Sequence, residues 1–381
     1  LLFVPAYGGG MEIFMIIKNG LVFTDKFRFE KKDIYIGGGY FVGSEKEADG
    51  DEVVDASGFR VIPGLVDVHT HGSFGHDFCD ADRDGLGISA KYLFEHGITA
   101  FCPTSMTLGL DRLKEIFSTA KDGFGADHAD VIGINMEGPF IAEGKKGAQD
   151  AAYIKAPDYG FFSELNKSCG GIIRLVTLAP ETDGAVEFIK RAKDEVNISI
   201  GHTESDYDTA KAALDAGANH VTHLFNAMPP LSHRAPGVIG AARDADGCMA
   251  ELICDGIHIH PAAIRAAFAM FGGERIVLIS DSTMATGMAN GEYTLGGQKI
   301  FVKDCRATLA DGTIAGSATN LFDCMRNAIK FGIAPETAVR AASANPAMSI
   351  GKYGEYGSIT VGKRAHALLV NDGFELVRVL A

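Results

Sequence analysis

The chain has 381 residues, 46% hydrophobic and 22% charged, an ordinary globular composition with enough length for a large core. A net charge of −14 argues against a nucleic-acid surface, though not against an anionic substrate, which responds to the local field. Seven cysteines, an odd number with no Cys-x-x-Cys pair, argue against a disulfide framework and for a reducing, cytoplasmic compartment. No apolar run reaches the roughly 18 residues of a membrane span.

Residues 1–10 carry no basic segment and read as an extension, with Met11 as the natural start. Residues 12–62 form a β-rich stretch. Strands are expected at 13–18, 21–24, 33–36 and 53–54, separated by turns at Gly20, Gly37-Gly38-Gly39 and Gly50-Asp51. From residue 62 the rhythm changes to short apolar runs alternating with amphipathic segments. The runs are 62–68, 99–103, 131–136, 173–178, 197–200, 220–222, 249–254 and 275–279. Helices are expected between them at 87–96, 110–121, 185–196, 207–216 and 261–271. Eight such units predict a (β/α)₈ TIM barrel, with an open doubly wound sheet as the competitor. A glycine-rich β patch follows at 291–312, then helices at 320–331 and 335–343. The alternating tail, 357–379, is expected to return to the N-terminal strands. The predicted division is a small β-sandwich domain, 11–62 plus 355–381, and a barrel domain, 63–354.

Active sites of such barrels sit at the C-terminal ends of the strands. Here those ends carry His69 and His71, Glu137, His202, His223 and Asp281. In a strand, residues i and i+2 share a side, so His69 and His71 aim at one point. Neutral imidazole and carboxylate suit a divalent transition metal, whether zinc, iron, manganese or cobalt. One catalytic metal takes about three protein ligands. Six candidates therefore suffice for two metals per chain, with Glu137 placed to bridge. Such a centre makes water a nucleophile at neutral pH, and Asp281 is the candidate general acid/base. There is no Gly-x-Ser-x-Gly elbow, and the Gly37–Gly39 run lacks the helix and acidic partner of a dinucleotide site.

These residues resemble the amidohydrolase superfamily and, within it, the N-acetylglucosamine-6-phosphate deacetylases. The motifs that carry the resemblance are Pro63-Gly64-Leu65-Val66-Asp67-Val68-His69-Thr70-His71-Gly72, Glu137-Gly138-Pro139-Phe140, Leu178-Ala179-Pro180-Glu181, Gly201-His202-Thr203, His223-Leu224-Phe225-Asn226-Ala227-Met228-Pro229, Asp255-Gly256-Ile257-His258 and Asp281-Ser282-Thr283. The resemblance implies hydrolysis of the N-acetyl group of a 6-phosphorylated amino sugar. It implies Glu137, His202 and His223 as the main metal site, Asp281 as general acid/base, and Asn226 and Ala227 as phosphate-binding amides. It further implies a homodimer in which Arg234 reaches the partner's phosphate, and His258 as a substrate contact. Some members lack the first histidine pair and use one metal; His69 and His71 are intact here, which predicts two. Where some members place a histidine after Lys-Lys-Gly, this chain has Gln149, a neutral amide that donates a hydrogen bond but carries no charge. The N-acetylgalactosamine epimer and other amidohydrolase substrates remain open at this level, and a non-catalytic barrel would not retain every ligand.

Overall fold

The computed structural model describes residues 14–48, 52–121, 123–125 and 127–381. The expected extension 1–10 and the Gly50-Asp51 turn lie outside them. Among the described residues, eight parallel strands form a nearly closed barrel. They are β1 (Leu65–Thr70), β2 (Ile98–Ser105), β3 (Ile134–Phe140), β4 (Ile173–Leu178), β5 (Asn197–Ile200), β6 (His220–Val221), β7 (Met249–Ile253) and β8 (Ile276–Ile279). Strands covered on both faces must be apolar nearly throughout, and every residue of β1, β2, β3 and β8 is buried.

The helices pack outside. They are α1 (Arg83–Glu95), α2 (Leu110–Thr119), α3 (Tyr159–Ser168), α4 (Ala185–Ala192), α5 (Tyr207–Ala216), α6 (Gly237–Asp244), α7 (Pro261–Phe271) and α8 (Leu321–Lys330), followed by Pro335–Ala342 and Ala344–Ser349. Their starts follow from local chemistry. Asp82, Asp158, Asp206 and Asn320 each accept a backbone N–H in the first turn, and Pro261 opens α7, where no N–H is needed. A four-stranded antiparallel sheet, Gly291–Leu295, Gln298–Lys303, Arg306–Thr308 and Ile314–Ser317, is inserted between β8 and α8.

The open-sheet alternative fails because β1 and β8 meet. They meet at the mouth, where Asp281 donates its N–H to His69 O (2.9 Å) and His71 donates to Ser282 O (2.8 Å). Below that seam, Ser280 Oγ donates to the buried Asp67 carboxylate at 2.5 Å.

The remaining strands make two sheets. One orders Tyr40–Val42, Ile34–Gly37, Met15–Lys18 and Glu52–Asp55. The other orders Leu376–Leu380, Ala367–Val370, Arg60–Pro63, Leu21–Phe23 and Phe29–Lys31, so the C-terminal strands do return to the N-terminal ones. Met15, Ile17 and Ile36 of the first sheet pack with Val22, Val61 and Leu369 of the second in one core.

Some expected boundaries move. The run 62–68 is two strands, not one: Arg60–Pro63 pairs with Ala367–Val370 in the outer sheet, and β1 begins at Leu65. Gly64 makes the break, where a Cβ would lie 2.1 Å from Thr99 Oγ1. The third strand is not 131–136. It starts at Ile134 and continues through Glu137-Gly138-Pro139, because it is walled by β2 and β4 although its end is not apolar. The predicted 185–196 helix stops at Ala192. Helices α3 and α6 were not expected. The first buries Phe161, Phe162 and Leu165 on one face but is only ten residues long, and the second is short and interrupted by Gly240.

Candidate metal centre

All six predicted strand-end residues converge at the barrel mouth, buried. His69 lies on β1 and His71 directly after its last residue, and Glu137 stands in β3. His202, His223 and Asp281 each lie just beyond a strand, at positive φ of 47°, 26° and 50°. Such backbone is costly for a residue with a Cβ, on the order of 1–3 kcal/mol, and persists where surroundings enforce it. Here it turns three side chains inward that an extended continuation would point along the strand.

Glu137 is the hub. Its Oε1 lies 3.0 Å from His223 Nε2, 3.1 Å from His202 Nε2 and 3.4 Å from His69 Nε2. Its Oε2 lies 3.4 Å from His71 Nε2 and accepts the Gln149 side-chain N–H at 2.8 Å. Two triads follow, His69–His71–Glu137 and Glu137–His202–His223, each with its ligand atoms within 4.8 Å of one another. Asp281 Oδ1 closes the first at 3.3 Å from His71 Nε2 and 3.6 Å from His69 Nε2.

The ring orientations test whether a cation belongs there. His202 Nδ1 faces Lys145 O at 2.8 Å and His71 Nδ1 faces Thr104 O at 3.1 Å. A carbonyl only accepts, so both rings are protonated at Nδ1 and turn the Nε2 lone pair toward Glu137. His69 Nδ1 donates to Glu251 Oε2 at 2.9 Å, which leaves its Nε2 buried with no hydrogen-bond partner. His202 Nε2 and His223 Nε2 stand only 3.1 Å apart. Lone pairs and carboxylates converging in a buried space require positive charge between them. The donor set of imidazole nitrogen and carboxylate oxygen fits a divalent transition metal.

In the metal-free protein protons must take that role. Burial opposes charge on His69, yet the Glu137 and Glu251 carboxylates hold its ring well above the ordinary histidine range. Burial likewise opposes charge on His71, but Asp281 and Glu137 hold it up to about 9. The same pairs act in reverse on the acids. Against burial, the His69 and His202 rings hold Glu137 well below the usual carboxylate range, and the His71 hydrogen bond lowers Asp281. Asp67, packed beneath, is pushed up to about 7 by burial despite its Ser280 hydrogen bond.

The other predicted residues fall around this cluster. Gln149 spends its carbonyl on Thr107 N–H (2.6 Å) and one N–H on Glu137. Its loop is pinned by Gln298 of the inserted sheet, whose side chain donates to Ala148 O at 2.6 Å. The Asn226 backbone N–H closes a turn on His223 O at 2.9 Å, whereas the Ala227 N–H has no acceptor among the described residues. Ala227 is itself at φ 50°. His258 is held by Asp255 Oδ2 at 2.7 Å, which raises its ring against the effect of burial. Beside it, a cavity of about 600 Å³ opens between Gly256–Ile257 and Phe301, Lys303 and Arg306 of the inserted sheet. Arg234 is exposed in the loop 229–236 and is not drawn into the cluster of its own chain.

Sequence reasoning missed Glu251 and the role of Glu181. Glu181 accepts from Thr203 Oγ1 and from the Glu204 N–H, both at 2.5 Å, and so fixes the loop that carries His202. Glu251 is fully buried in the middle of β7. A lone carboxylate inside an otherwise apolar strand run was the available signal.

Residues 60–380 match the amidohydrolase family. The chain is 38% identical to an N-acetylglucosamine-6-phosphate deacetylase of Bacillus subtilis (strain 168), covering 87% of this chain and 86% of that protein. It is 34% identical to one of Lysinibacillus sphaericus, covering 94% of each. Among solved structures it superposes on N-acetyl-D-glucosamine-6-phosphate deacetylase of Mycobacterium smegmatis, in complex with N-acetyl-D-glucosamine-6-phosphate, with a TM-score of 0.88 and 31% identity. That match covers 97% of this chain and 98% of the other. The enzyme from Thermotoga maritima gives a TM-score of 0.85 at 28% identity, covering 96% and 98%.

Proposed function

The chain belongs to the amidohydrolase family and, within it, to the N-acetylglucosamine-6-phosphate deacetylases, and from that premise we infer the reaction it performs. It hydrolyses the N-acetyl group of N-acetyl-D-glucosamine 6-phosphate to D-glucosamine 6-phosphate and acetate. The observation that carries this reading is the shared Glu137 at the barrel mouth, with two histidine pairs on one side and the other and Asp281 alongside.

His69, His71, Glu137, His202 and His223 would hold the metal, in our reading two ions with Glu137 common to both and Asp281 at the edge of the first. Bound divalent metal supplies Lewis acidity toward an acyl oxygen and toward water. Asp281 supplies the proton traffic. Its carboxylate is held ionised, so Oδ1 takes a proton from the attacking water and delivers it to the departing sugar nitrogen. The amide C–N bond breaks, and acetate and free amine leave. Gln149 keeps one N–H unspent for the acetyl oxygen while its other groups hold Glu137 in place.

For the phosphate, the unspent Ala227 amide, the Asn226 turn and His258 form one side. Arg234, exposed and projecting from residues 229–236, is the cation we assign to a partner protomer's phosphate, which makes the working unit a homodimer. All seven cysteines are free thiols, which supports a reducing, cytoplasmic setting. No helix among the described residues is long and apolar enough to cross a membrane.

The deciding experiment measures acetate release by metal-reconstituted protein from three sugars. These are N-acetylglucosamine 6-phosphate, its unphosphorylated form and the galactosamine epimer. Turnover that requires the phosphate supports the reading; metal-loaded protein that turns over none of them overturns it.

A further inference from the structure

Glu251 is fully buried inside the barrel, where an unneeded carboxylate is destabilising. Its Oε2 accepts two hydrogen bonds from opposite halves of the centre. One comes from the His69 ring, Nδ1 at 2.9 Å; the other comes from the His223 backbone N–H at 3.1 Å. Its Oε1 faces His220 Nδ1 at 3.5 Å, and that ring is reached in turn by Ser199 Oγ at 3.3 Å. The other braced histidines have neutral acceptors, Thr104 O for His71 and Lys145 O for His202. His69 alone among them is backed by a carboxylate. An anionic partner at Nδ1 locks the ring with its lone pair at Nε2 and makes that nitrogen a stronger donor. The second bond holds His223 at φ 26°, the turn that aims its ring at Glu137.

We propose that Glu251 is the positioning residue of this centre: it fixes His69 as an Nε2 ligand and, through the same oxygen, ties that ligand to the turn that presents His223. The inference rests on the two-metal reading above. It assigns the His69–His71 position a dependence on the Glu251 charge that the Glu137–His202–His223 position does not share.

The test is a cobalt(II) titration of metal-free wild type and E251Q, with metal per chain measured after dialysis. The glutamine carbonyl still accepts from the His223 N–H, so the variant removes chiefly the charge behind His69. The expected result is that one equivalent binds as in wild type while the second weakens roughly 10- to 100-fold, the usual scale for a lost outer partner. Two equivalents of unchanged affinity in E251Q overturn the inference alone. Wild type that binds no metal, or only one, overturns the two-metal reading itself. A readout that does not depend on the variant folding is the ¹⁵N spectrum of the histidines in zinc-loaded wild type, with His69 assigned by its absence in H69Q. A proton on Nδ1 of His69 is expected, and a proton on Nε2 overturns the proposal.

Discussion

The two histidine pairs that share Glu137 are built by opposite means. His69 lies in β1 and His71 directly follows its last residue, so the two share a side, and their backbone is tied by the seam to β8. His202 and His223 sit past the ends of β5 and β6, in left-handed turns held by side chains from elsewhere: Glu181 under the first loop and Glu251 under the second. One pair is placed by regular secondary structure and the other by tertiary contacts. A strand presents two ligands at fixed spacing with no strain; a turn presents one ligand anywhere, provided something pays for the turn.

Glu137 serves both pairs, so its loss is expected to be the largest single effect. Glu137→Ala should lower kcat/KM by about 10³-fold or more, the scale for removing a group on which the catalytic unit depends. It should also release metal from both positions, and firm retention of either ion would show that the halves are more independent than the geometry says. Asp281→Asn comes next. A loss of roughly 10²- to 10⁴-fold in kcat is expected, the range for general acid–base catalysis. Metal held by Glu137, His202 and His223 should stay, so metal analysis beside kinetics separates proton transfer from ligation. Third, the strand pair should bind its ion with a steeper pH response. In metal-free protein His71 is held up to about 9, so below that pH a proton must leave before metal enters. His69 is held protonated as well, so affinity at this position should rise by at least about tenfold per pH unit from neutral pH toward pH 9, as calorimetric titrations at several pH values would reveal. A flat profile would contradict the ionisation described. The smallest effect is expected at Gln149. Gln149→Ala removes one hydrogen bond to Glu137 and should cost less than about tenfold in activity. His69→Ala should cost far more, and the reverse ranking would make the Gln149 N–H, rather than the position held by the strand pair, the main support of the acetyl oxygen.

The same contrast explains what could be read in advance. The barrel was legible because most of its strands carry short apolar runs at regular intervals: β4 and β5 fall at their expected bounds, as do α5 and α7. Strand-end residues were legible because the fold dictates where chemistry sits. What stayed hidden depends on distant contacts. The β3 end carries Glu137 and then Gly138-Pro139 before Phe140, so nothing local says it remains in the sheet. The split between Arg60–Pro63 and β1 is set by Thr99 and by strands over 300 residues away. Glu251 lies in an apolar run, and only the folded barrel shows which side it faces or that a histidine from β1 awaits it.

The seam between β1 and β8 has a consequence for how the molecule fails. Across that gap the described residues form no continuous ladder: the barrel is fastened at the mouth by the amides of Asp281, His71 and Gly72 and by the Thr70–Ser282 hydroxyl pair, and just below by Ser280 on Asp67. Those residues are also the rim of the catalytic centre. Metal or substrate bound there works as a clasp on the barrel hoop, and its binding energy adds to resistance against opening, in proportion to RT ln(1 + [L]/Kd). The first cracks on warming should therefore run through the active site, with amide exchange at Asp281 and His71 slowing most when the clasp is shut.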